Sequence, residues 1–110
     1  MPVLNTNTFN ALKDSIGADF VDELLDAFLK DTVHQMEEMK NALATGDADN
    51  FRRAAHTVKS NSLTFGGEDL ASLARELEMM GRENNLEVGN KLEVLKEAFD
   101  LLRSELLKLK

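Results

Sequence analysis

Between Arg52 and Gly67 the sequence reads RRAAHTVKSNSLTFGG. It holds one of the chain's two histidines, His56, followed by Lys59, Ser60, Leu63 and Gly66. A neutral imidazole is a good nucleophile near neutral pH without an auxiliary base. A phosphoryl group placed on it would carry about two negative charges. Lys59, one helical turn away, is a point charge able to neutralise them. Ser60 and Gly66 are small enough to leave room for the group and for a donor's surface, and Leu63 offers a partner something apolar to bury. The plain alternative is an exposed histidine with no chemistry.

These side chains share a patch only if the stretch is helical. At about 100° per residue, Ala54, Ala55, Val58, Ser62 and Phe65 all fall within about 60° of Phe51 and form a core stripe. His56 falls near 140°, off that stripe and towards solvent, with Arg52, Lys59, Ser60 and Leu63 as helical neighbours. Glycine punctuates the rest of the chain into helices. A short first helix is expected over Thr8–Ile16. A second is expected from an Asp19 N-cap to Thr45, with Val21, Leu24, Leu25, Phe28, Thr32, Met36, Met39 and Leu43 as its apolar stripe. A third spans Ala48–Phe65. A fourth spans Glu68–Asn84, with Leu70, Leu73, Ala74, Leu77 and Gly81 on one face. A fifth spans Leu86–Leu109, using Val88, Leu92, Leu95, Phe99, Leu102 and Leu106. Short loops make sequence neighbours antiparallel. The expected fold is all-α: an up-down four-helix bundle with a short additional N-terminal helix, one domain over residues 1–110.

Outside the His56 patch the readings are plain. Met36, Met39, Met79 and Met80 are core filler. His34 lies on an exposed face with an inert role. Phe20 packs on the first helix rather than meeting a partner. Glu76 and Glu78 read as solvated surface, and Arg53 as a solvated charge.

Composition removes other function classes. The chain has 110 residues, 43% of them hydrophobic, which is enough for one core. No apolar run approaches the roughly 18 residues of a membrane span. A net charge of −7 argues against nonspecific nucleic-acid binding. With no cysteine there is neither disulfide nor thiolate metal site. No Gly-rich phosphate loop, HExxH motif or nucleophile triad is present. A phosphorylatable histidine without a nucleotide site implies a carrier that takes phosphate from one protein and gives it to another. A non-phosphorylated helical adaptor binding through the same His56/Leu63 face is the competing reading, and an enzyme is a distant third.

The run AAHTVKSNSLTFGG resembles the signature of histidine-containing phosphotransfer (HPt) domains: Ala-His-x-x-Lys, small residues, then glycine ten past the histidine. The matching residues are Ala55, His56, Lys59, Ser60, Ser62 and Gly66. Gly46-Asp47, Phe51 and the run LASLARELEMMGREN extend the resemblance over nearly the whole chain. The resemblance implies that His56 accepts a phosphoryl group through Nε2 from the aspartyl phosphate of a response-regulator receiver domain and passes it to another receiver. Lys59 would steady the phosphate and Gly66 would keep the surface open. Arg52, Arg53 and Lys59 would face the receiver's acidic pocket as a basic patch. The carrier would need no cofactor of its own, since the receiver brings Mg²⁺. A cytoplasmic monomer is expected, without membrane insertion or nucleic acid. Termini at the bundle boundaries suggest a module of a hybrid sensor kinase. One departure stands out: many family members have glycine where this chain has Ser60. The resemblance also implies a carboxylate that orients the histidine, for which Glu76 and Glu78 are candidates, although each reads better as solvated surface.

Overall fold

A computed structural model describes residues 3–109. Five helices follow one another: α1 Thr6–Ile16, α2 Ala18–Thr45, α3 Ala48–Thr64, α4 Glu68–Arg82 and α5 Lys91–Lys108. No strand occurs among the described residues. Helices α2 to α5 form the bundle, closed by contact between α2 and α5, and α1 packs across α2 and α3. The 28 residues of α2 would span about 42 Å at 1.5 Å each, matching the 41 Å long axis of the molecule.

The core repeats the apolar stripes. Leu25, Met39, Phe51, Val58, Leu70, Leu77, Leu95, Phe99, Leu102 and Leu106 are essentially sealed from solvent. Phe28 stacks on Phe65 with ring centroids 4.7 Å apart and meets Phe99 edge-on at 6.4 Å, which joins α2 to the end of α3 and to α5. Two turns end as left-handed caps. At Gly46 (φ 71°) the following amide of Asp47 donates to the Ala42 carbonyl. At Gly66 (φ 82°) the Gly67 amide donates to the Ser62 carbonyl. Asp47 then caps α3, its side chain accepting from the Asn50 amide.

Several boundaries differ from the periodicity. Asn5 caps α1, accepting from the amides of Asn7 and Thr8, so α1 begins before Thr8. Asp19 lies inside the first turn of α2, because the sharp turn at Gly17 (φ 90°) already starts the helix at Ala18. The fifth helix starts at Lys91, not Leu86. Asn84 is left-handed (φ 59°), and the Asn85 amide donates back to the Met80 carbonyl, ending α4. The chain then crosses as a loop through Gly89 (φ 57°), and Val88 is buried from that loop rather than from a helix. Two expected core residues also sit outside it: Leu24 of the α2 stripe is exposed at its edge, and Met79, expected as core filler, is 50% exposed.

Candidate functional site

The third and fourth helices make the most extensive pairing in the molecule. Gly81 allows it: a Cβ there would lie 3.1 Å from the Arg52 backbone. With the two backbones this close, side chains on the facing edges meet directly. His56 projects from α3 with its ring 57% exposed, and its Nδ1 lies 2.8 Å from Glu78 Oε2 on α4. Lys59, one turn on, donates to Glu78 Oε1 at 2.7 Å. Arg82 approaches Oε2 at 3.5 Å.

Glu78 is thus the centre of the site, and it is buried. This corrects the expectation of a solvated surface carboxylate. On α4 it neighbours the core residue Leu77, and the helical face alone gives no sign that α3 covers it. Burial pushes its carboxyl up, but the hydrogen bonds from Lys59 and His56, with their charges, outweigh that and hold it below the usual range. An ionised carboxylate only accepts hydrogen bonds. The proton between the two groups therefore sits on Nδ1, and in the neutral ring Nε2 keeps its lone pair.

The other expected residues fall into three groups. Ser60 and Leu63 are exposed on the same side of α3, Leu63 at 52%. Arg52 and Arg53 are both held by Asp49, at 2.9 and 3.1 Å. The Arg52 hydrogen bond keeps the Asp49 carboxyl below its ordinary value against the opposing effect of burial, with the charges of both arginines adding to the lowering. The three cations expected as a basic patch are each engaged within the chain, Arg52 and Arg53 by Asp49 and Lys59 by Glu78. Further cations come from α4, where Arg75 and Arg82 line a groove with Lys59, Leu63, Glu78 and Met79. Sequence inspection missed both. Their signal was the spacing Arg75, Glu78, Met79, Arg82, one stripe of α4.

Gly66 is buried and not part of the open surface. A Cβ there would lie 2.5 Å from the Asn5 carbonyl oxygen, so the room it leaves is filled by the chain's own N-terminal segment. The Asn5 amide donates to the Gly66 carbonyl at 2.7 Å, and the Asn5 side chain donates to Glu68. Phe20 is 67% exposed, which corrects its expected packing on α1. His34 is exposed and makes only a 3.7 Å contact with Glu38. Glu76 is exposed and pairs with Lys91. Among the described residues no group of three or more metal-ligating side chains is present.

With this geometry in view the family model for the Hpt domain matches residues 23–105. The chain belongs to the Hpt domain family. It is 27% identical over 85 residues to the phosphorelay protein LuxU of Vibrio vulnificus, covering 77% of this chain and 74% of that protein. The fold is similar to the crystal structure of histidine-containing phosphotransfer protein B from Pseudomonas aeruginosa PAO1. The TM-score is 0.88 and the identity 27%, over 97% of this chain and 93% of that one. An HPT domain of a sensor hybrid histidine kinase from Shewanella shares the fold at TM-score 0.77 and 17% identity, covering 97% and 92% of the two chains. This Hpt domain is a phosphorelay carrier of two-component signalling, a phosphotransfer module and not a kinase. No helix among the described residues is long and apolar enough to cross a membrane.

Proposed function

We propose that His56 is the residue that carries the phosphoryl group, taking it from the aspartyl phosphate of a receiver domain and giving it to another. The observation that carries this reading is the Nδ1 contact with buried Glu78 at 2.8 Å. It leaves Nε2 as the free nitrogen of a ring that is largely exposed.

In the forward step the Nε2 lone pair attacks phosphorus. The bond from phosphorus to the receiver's aspartate oxygen breaks, and the aspartate leaves as a carboxylate. The ring now carries a positive charge, and its Nδ1 proton stays in place, hydrogen-bonded to Glu78. Onward transfer reverses this: a receiver carboxylate attacks phosphorus and the N–P electron pair returns to Nε2. No proton has to leave the ring in either direction. Glu78 is a positioning residue that fixes the tautomer and offsets the ring charge. Lys59 neutralises phosphoryl oxygens as a point charge, and Ser60 stands one turn away with a free hydroxyl to offer. Leu63 belongs to the docking surface. Arg52 and Arg53 contribute to the field there while paired with Asp49.

In this reading the receiver supplies the Mg²⁺ and its own acidic pocket, so the carrier holds no metal. Its setting is the cytoplasm, where receivers work. It acts as a monomer, since α2 and α5 close the bundle without a second chain. The same surface serves a free-standing carrier or a module attached to a sensor kinase.

The test is to incubate the protein with a phosphorylated receiver and assay for acid-labile, base-stable phosphate. Wild type gains it and His56→Gln does not. Wild type gaining none from any receiver refutes the carrier role of this site, and equal labelling of His56→Gln refutes the assignment to His56.

A further inference from the structure

We propose that the groove on the α4 side of His56 is a docking site for an acidic, partly apolar surface segment of the receiver, with Arg75 as its outer charge. This rests on the phosphocarrier reading and adds the α4 side of the site to it.

The groove follows from the antiparallel register of α3 and α4. Gly81 abuts Arg52, Glu78 meets His56 and Lys59, and Arg75 lines the same groove as Leu63. Leu63 is seven residues from His56, about 10 Å along the helix. Arg75 stands one turn of α4 before Glu78, about 4.5 Å along that helix, and with Leu63 it lies within the footprint of a docked protein.

The charges in the groove are unequal. Lys59, Arg75 and Arg82 face one carboxylate, Glu78, giving +3 − 1 = +2 in a chain whose net charge is −7. Glu78 is already shared by His56, Lys59 and Arg82. Arg75 is exposed and takes part in no hydrogen bond or ion pair among the described residues. Between the charges lie Leu63 and Met79, each about half exposed. A free anion would use the cations and leave this apolar pair in water. A protein segment with carboxylates beside an apolar side chain uses both. In the phosphocarrier reading the receiver's acidic pocket lies on the face that approaches His56, which supplies such a segment.

The experiment compares wild type, Arg75→Glu, Arg75→Gln and Arg103→Glu. The last makes the same charge change on α5. Two phosphate sources are used: a phosphorylated receiver, and phosphoramidate, which labels histidine without docking. From the receiver, the second-order transfer rate is expected to fall about tenfold for Arg75→Glu and about threefold for Arg75→Gln at low salt. The loss should shrink by about 0.5 M salt. Arg103→Glu should match wild type, and phosphoramidate should label all four proteins equally. A wild-type rate for Arg75→Glu, an equal loss in Arg103→Glu, or a parallel loss with phosphoramidate overturns the proposal. If wild type takes phosphate from no receiver, the carrier reading falls as well, whereas equal receiver rates in a working wild type remove only the groove.

Discussion

Glu78 on α4 and His56 on α3 are 22 residues apart in sequence and meet at 2.8 Å. One is buried and ionised, the other largely exposed, and the bond between them sets which imidazole nitrogen is free. Replacing Glu78 by alanine removes that bond. In ¹⁵N spectra of the imidazole, wild type should show the Nδ1–H tautomer, and Glu78→Ala a mixture weighted towards Nε2–H. Phosphotransfer should slow by about tenfold to a hundredfold, the scale seen when such supporting partners are lost. A slowed variant with an unchanged tautomer would assign Glu78 a purely structural role.

The same carboxylate makes stability depend on pH. Its folded-state pKa is depressed, so its contribution is complete above the unfolded value and drains away as pH falls through the folded one. The loss should begin near the ordinary glutamate value of about 4.3 and continue below it. Urea unfolding at a series of pH values should give a shallower acid decline for Glu78→Gln than for wild type. Parallel curves would count against the coupling.

Thr32 is sealed inside α2, and its Oγ1 has no hydrogen-bond partner among the described residues. A buried hydroxyl without a partner costs about 1–3 kcal/mol. Thr32→Val keeps the shape and removes the polar atom. We expect it to raise stability by about 1 kcal/mol, read as a rise of several degrees in Tm. An unchanged or lower Tm would mean that the hydroxyl is satisfied in solution.

Gly66→Ala should act through the N-terminal helix. The new Cβ would meet the Asn5 carbonyl at 2.5 Å, at a residue with φ of 82°. Left-handed strain of about 1–2 kcal/mol adds to the loss of the Asn5 to Gly66 hydrogen bond. Destabilisation of about 2–3 kcal/mol is expected, with hydrogen exchange accelerated in α1 ahead of α3. Uniform exchange throughout the bundle would argue against this latch.

The sequence by itself determined the helices and the outward turn of His56. Apolar residues recurring at helical spacing can be buried on one face only, and that local geometry needs no partner. Glycines at 46 and 66 marked the helix ends because left-handed caps favour them. The residues AHTVK with the following glycine carried the family. Periodicity ran too far at Leu86–Asn90, since Leu86 and Val88 look the same whether a helix or a loop buries them.

Only the tertiary structure decided what surrounds the histidine. Glu78 reads as a surface carboxylate on α4 until α3 is laid against it, at a distance that Gly81 sets. Lys59 looks free, and the arginines look like a basic patch, until Glu78 and Asp49 are placed. Gly66 suits an open surface until Asn5 fills the space. Each depends on which side chain lies across an interhelical gap of a few ångströms. That follows from the packing register of two helices and not from the spacing within either one.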